Sequence, residues 1–296
     1  MTAAADIVDS TITPRRDGAM ADRLGRRRNS RNVLAVTLAT GATIFALAAL
    51  GWILLTLLWL GLHGLKLSVF TTVTKAPGSH GGLANAIIGS LLQTALGTAV
   101  GTPIGMMVGT YLAEYAGRSA LGNAVRFVSD ILLSAPSILI GLFIYSVLVS
   151  PFGGFSGYAG AMALAVIVIP IVVRTTEDML TLIPVSLREA SIALGAPRWK
   201  TIVFVCYRAA QDGLITGILL AFARVAGETA PLLFTSLGNS GYSGLGSAMA
   251  SLPVTIYQYA SSAFDDWVSL AWTGALLITL GVLAINIIAR LIVRRR

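Results

Sequence analysis

Apolar residues run along this chain in long blocks, with the polar positions gathered between them. Six blocks, at roughly 33–60, 83–111, 125–149, 158–178, 212–236 and 267–290, are long enough to cross a hydrocarbon core. Such a crossing takes about 20 helical residues. The first block is no cleaved signal peptide, because it far exceeds the 7–15 residues of a signal core and no A-x-A site follows closely. The second, fourth and sixth are interrupted by Gly or Pro, which membrane helices tolerate when packed against protein. The pattern predicts an all-α membrane protein with six transmembrane helices.

Composition supports the bilayer as solvent. Only 11% of the 296 residues are charged, 55% are hydrophobic and the mean hydropathy is +0.80. A soluble domain carries roughly 25% charged residues. An ordinary soluble protein and a disordered one are both excluded. The single Cys206 rules out an intrachain disulfide.

Charge then orients the spans. The net charge is +8. Seven arginines lie in the first 31 residues and four at 290–296, and neither cluster is interleaved with aromatics, so nucleic acid is set aside as a partner. With the N-terminus inside, 18 of the 21 basic residues fall on the cytoplasmic side; only Lys66 and Lys75 lie outside, and Arg224 lies within a span. Six spans return the C-terminus to the same side, so the expected topology is N-in, C-in. The chain reads as an Arg-rich tail over 1–31, expected to be disordered and drawn to anionic headgroups, a first helix over 32–60, and a five-helix core over 83–293. The inner loop at 179–211 is long and basic. It serves either as a docking surface or as a plain connector.

A few residues stand out against this background. Gly97, Gly101, Gly105 and Gly109 recur every four residues in the second block, which stacks them on one helix face and admits a neighbouring backbone. They mark either a static seam or a moving interface. The fifth block contains ARVAGETAP, with Arg224 and Glu228 four apart near mid-membrane. On a helix they share one face and can neutralise each other. They form either a structural ion pair or part of an anion path, with Arg as the fork-shaped donor. Arg174 ends the fourth block and Arg126 pairs by spacing with Asp130.

Catalytic constellations are nearly absent. No Gly-Lys dipeptide exists, so there is no phosphate-cradling Walker loop. His63 and His80 with one Cys make no transition-metal cage. Two G-x-S-G strings, around Ser156 and Ser243, are followed by no histidine that could act as base, so serine proteolysis is set aside.

The inner loop reads REASIALGAPRWKTIVFVCYR. It resembles the Glu-Ala-Ala loop of bacterial ABC-importer permeases. Glu189, Ala190 and Gly195 stand at the family's positions, and Ser191 replaces the third small residue. The family's later Ile-x-Leu-Pro is not met, since Val205, Tyr207 and Arg208 stand there. GETAPLLFTSLGN at 227–239, LPVTIYQYA at 252–260 and the segment 267–290 resemble permeases of phosphate importers within that family. The likeness runs from about residue 83 onward and takes in the first span, but not the tail before residue 32.

The resemblance implies a type I ABC-importer permease fold in the bacterial cytoplasmic membrane. It implies a homologous second permease, two copies of a cytoplasmic ATPase and an extracytoplasmic phosphate-binding protein as partners. The chain itself would bind no cofactor, with ATP and Mg held by the ATPase. It would do no covalent chemistry, so it is not an enzyme. Glu189, Ala190 and Gly195 would belong to the helix coupling it to the ATPase, and Arg224, Glu228 and Arg174 to the anion route. The rival readings are a permease for another oxyanion and a transporter or channel needing no ATPase.

Overall fold

Lipid offers no partner to a backbone amide, so each apolar block must bond within itself, and a helix does so. The computed structural model describes residues 17–79, 81–117 and 119–294. Among the described residues every regular element is helical. The chain divides into two units, Met1–Thr56 and Leu57–Arg296.

The first unit holds most of α1 (Asp17–His63). From Asn32 this helix is long and apolar enough to cross a membrane. Phe45 and Trp52 are each 75% exposed, and a helix with apolar side chains all round and only 11% of its most apolar stretch buried suits lipid as its neighbour. Residues 1–16 of the tail expected to be disordered lie outside the described residues. From Asp17 the backbone is helical, as the good helix formers Ala, Leu and Arg allow.

The second unit is arranged around one helix. After the short α2 (Leu67–Thr71) comes α3 (Ala84–Tyr111), which continues into a π-helical turn at Leu112–Ala116. α4 (Ala120–Ser134) and α5 (Ser137–Ile144) follow, then α6 (Gly157–Thr181). Two-thirds of the most apolar window of α6 (67%) is buried, against 33% or less in the other spanning helices. Leu164, Val168 and Val172 of α6 carry the core, with Ile140, Ala221, Val225, Leu232 and Val254 packed around them. α6 starts where Ser156 accepts a hydrogen bond from Ala159 N–H at 3.1 Å, an N-cap that satisfies one of the first orphan amides.

α3 lies along α6 through its glycines. A Cβ at Gly97 would lie 2.8 Å from the Ala161 carbonyl oxygen, and one at Gly101 2.9 Å from that of Ala165. One at Gly105 would lie 2.7 Å from Val172 Cβ, and one at Gly109 2.6 Å from the Val173 oxygen. All four glycines therefore face the same helix at backbone contact. In lipid there is no hydrophobic drive between helices, so this close approach supplies the packing.

Two blocks differ from their sequence reading. The third, expected as one span over 125–149, is broken: Ala120–Ser134 and Ser137–Val149 meet at 103°. Pro136 cannot donate the helical hydrogen bond and pushes Ala135 into extended backbone (φ −65°, ψ 137°). The fifth, expected over 212–236, is a helix over Arg198–Ala226. It is built from α8 (Arg198–Lys200), a π-helical turn at Thr201–Cys206 and α9 (Tyr207–Ala226). It stops at Gly227, and α10 (Ala230–Thr235) restarts with Pro231 in its first turn. The inner loop therefore contains α7 (Val185–Ala193) and the first part of the next long helix. α11 (Leu252–Ala260) and α12 (Asp265–Arg294) complete the unit. Among the described residues five helices can span a membrane, or six if the bent pair counts as one.

Candidate functional site

Arg224 sits in the last turn of α9, and Glu228 follows its Gly227 cap. The two do not stack along a helix, because the helix ends between them. Glu228 N–H instead closes a turn on the Val225 carbonyl at 3.2 Å. Among the described residues no ion pair joins Arg224 to Glu228, which corrects the mutual neutralisation expected from their spacing. Both side chains line a cavity of about 80 Å³ together with Ala135, Ser137, Ile140, Ile167 and Ile171. This cavity lies at the break between α4 and α5. The backbone amides that open α5 have no acceptor within their own helix and carry its positive dipole end. A guanidinium, a carboxylate and a helix start thus meet in otherwise apolar walls.

Arg174 lies elsewhere. It stands three residues beyond Ile171 on α6, about 4.5 Å further along the axis. Its side chain is 54% exposed and bridges Asp178 at 3.4 Å and Asp130 at 3.9 Å. Arg126 does not pair with Asp130 as the spacing suggested. Its Nε donates to Glu177 Oε1 across to α6 at 2.6 Å, and its other donors reach the Gly117 and Leu112 carbonyls. Arg126, Arg174, Glu177 and Asp178 surround a wider opening of about 440 Å³.

The Glu189 segment forms α7, which buries no residue. Glu189 and Ala190 are exposed. Leu194 is 89% exposed, Val185 65% and Trp199 56%, so apolar side chains accompany them at the surface. Gly195 ends the helix at φ +82°, the left-handed conformation that closes helix C-termini and costs a side chain about 1–2 kcal/mol.

A contact that sequence reading missed anchors this exposed helix. Arg188 Nη2 and Nε donate to Glu114 Oε1 at 2.7 and 3.1 Å. Its Nη1 and Nη2 also donate to the carbonyls of Ile183 and Leu180, each at 2.7 Å. The Glu114 side chain is 6% exposed and that of Arg188 18%. Hydrogen bonding to this carboxylate raises the Arg188 pKa, against the lowering effect of burial. Arg198 donates to the Glu114 carbonyl oxygen and its guanidinium lies 4.7 Å from the centre of the Tyr115 ring. The only sequence signal was an acidic residue at the end of an apolar block.

Residues 101–296 match the family described as binding-protein-dependent transport system inner membrane component. The chain belongs to that family. Its relatives include the phosphate transport system permease protein PstA of Pasteurella multocida (strain Pm70). That protein is 54% identical over 265 residues, covering 89% of this chain and 95% of the relative. The PstA protein of Yersinia pestis is 49% identical over 291 residues, covering 97% and 99%. A chain of a solved MetNI methionine ABC transporter in an inward-facing conformation superposes with a TM-score of 0.61 at 23% identity. It covers 72% of this chain and 95% of its own. The fold is therefore that of ABC-importer permeases.

Proposed function

We propose that this chain is the transmembrane permease subunit of an ATP-driven importer for inorganic phosphate, forming half of the translocation path. The observation that carries the substrate is its 54% identity, over nearly the full length, to a phosphate permease. The geometry supports an anion route. Arg224 offers a charged, forked donor at a break in a spanning helix, and broken helices whose N-termini meet an anion recur in membrane transporters. Arg174, about one turn further along α6, belongs to a wider opening on the same route. Both termini would face the cytoplasm in the bacterial inner membrane.

α7, with Glu189, Ala190 and Gly195, would dock on a partner ATPase of the PstB type. Two copies of that ATPase would hold ATP and Mg, a PstC-type permease would supply the other half of the path, and a PstS-type protein would deliver phosphate. The chain itself would hold no nucleotide and catalyse no covalent step. The glycine seam between α3 and α6 would be one of the surfaces that shift as the path alternates.

Uptake of labelled phosphate into membrane vesicles, competed with sulfate and with arsenate, tests this reading. Arsenate should compete and sulfate should not. An unchanged rate after deletion of the chain would defeat the phosphate assignment. Docking makes a separate prediction. Gly195→Pro forces φ to about −65° where +82° is needed. The variant should stay in the membrane and lose most of its co-purifying ATPase; undiminished ATPase recovery would sink the docking role.

A further inference from the structure

α7 buries no residue of its own, so its position must be set by whatever holds it from outside. By chain connection it follows α6, through the three residues between Thr181 and Val185. By side-chain contact it is held to something else. The Arg188 guanidinium spends its donors on four directed bonds, two to Glu114 and one each to Leu180 and Ile183. Glu114 belongs to the π-helical turn that ends α3. One planar group thus pins three elements, and a planar fork fixes direction as well as distance.

The same turn is gripped a second time. Arg198, just past the Gly195 bend, donates to the Glu114 carbonyl and covers the Tyr115 ring. The two ends of the bracket are tied to each other by Ser191 Oγ and Thr201 Oγ1 at 2.9 Å. π-Helical turns are frequent at functional sites, and this one leads directly into Gly117 at φ +49°. Before it, α3 meets α6 at backbone contact through a seam of four glycines, where the missing side chains leave sliding least hindered.

We infer that the Glu114–Arg188 pair is the link that imposes a displacement of α7 on α3, so that breaking it leaves the ATPase docked but disconnected from transport. The inference rests on the reading of α7 as the ATPase-docking helix. Glu114 and Arg188 are positioning residues, since neither lies among the exposed residues of α7 nor at the Arg224 cavity. A purely structural tie would lower assembly and transport together. A transmitting tie separates them.

The test uses the complete importer in proteoliposomes, with its ATPase, second permease and phosphate-loaded binding protein. Glu114→Gln keeps the shape and an acceptor oxygen but removes the charge. ATPase recovery and basal hydrolysis should stay within about twofold, while stimulation by the loaded binding protein and phosphate uptake fall about tenfold. Arg188→Lys keeps the charge but not the fork, and should give a smaller loss of about threefold. If Glu114→Gln fails to reach the membrane, Glu114→Gln/Arg188→Met, which leaves no unpaired buried charge, answers the same question. Unchanged stimulation and uptake in these variants would overturn the link. So would losses of uptake matched by equal losses of bound ATPase. If the unaltered permease binds no ATPase at all, the docking reading fails first and takes the link with it; bound ATPase in every variant separates the two failures.

Discussion

Gly105→Leu should strip the permease of its folded yield, leaving little monodisperse protein after extraction into detergent. The reason is the absence of any soft neighbour. A Cβ at this position would lie 2.7 Å from Val172 Cβ, 2.9 Å from the Ile169 carbonyl oxygen and 2.9 Å from Val172 Cγ1. A carbonyl oxygen inside a helix cannot turn aside, so α3 and α6 must part along their length. Overpacking a core costs about 1–3 kcal/mol when side chains can shift, and here the obstacles are a backbone oxygen and the branched root of a valine, neither of which can swing away, so the upper end applies. The contrast is Gly281→Leu on α12, where an added Cβ meets nothing within 4 Å. That variant carries the same change in composition and should extract like the unaltered protein. Equal folded yields for the two variants, read by gel filtration and thermal melting, would refute the close seam. Gly105→Ala sharpens the outcome. If the seam is only static, uptake should fall in step with folded protein; if it slides during transport, uptake should fall further than the protein does.

What the sequence made legible was whatever depends on long uninterrupted patterns. The apolar blocks over 83–111 and 158–178 became α3 and α6 within a few residues, and the four-residue glycine spacing falls on one helix face whatever the neighbour. Positions where hydropathy and backbone geometry disagree were hidden. The Ala135–Pro136 break lies in a stretch apolar throughout, so hydropathy runs straight across a 103° bend. The reverse happened in the fifth span. Arg208, Gln211 and Asp212 interrupt the apolar run but not the helix, so hydropathy starts the span too late and sets Arg224 near the middle of a helix that ends at Ala226. Side-chain partners were the least legible. Glu114 and Arg188 are 74 positions apart, and nothing in a helical period joins them. Arg126 and Asp130 share a helix at the favoured spacing, yet both bond across to α6, because Glu177 and Arg174 face them there. Spacing lists the partners a helix allows; packing chooses among them.

Arg224→Gln should then cost the most function for the least structure. The glutamine keeps an amide donor in the cavity by Ser137 and removes the charge. A hydrogen bond to a charged group contributes about 1.5–3 kcal/mol, so phosphate uptake should fall by roughly 10- to 100-fold. Protein level and co-purifying ATPase should not change, because Arg224 makes no ion pair among the described residues whose loss would leave a carboxylate stranded. Arg224→Lys keeps a point charge without the fork and should fall between. Arg174→Gln should cost less, about fivefold at most, since that guanidinium is half exposed and its ion pairs are of the weak surface kind. The exchange Arg224→Glu with Glu228→Arg separates path from pair. It preserves the net charge of the cavity but moves the cation across the Gly227 bend, away from the end of α9. If the two residues serve only to neutralise each other, the exchange should restore uptake that Arg224→Gln removes, and the route would have to be sought elsewhere. If Arg224 meets the anion at the start of α5, the exchanged protein should assemble, bind its ATPase and fail to transport.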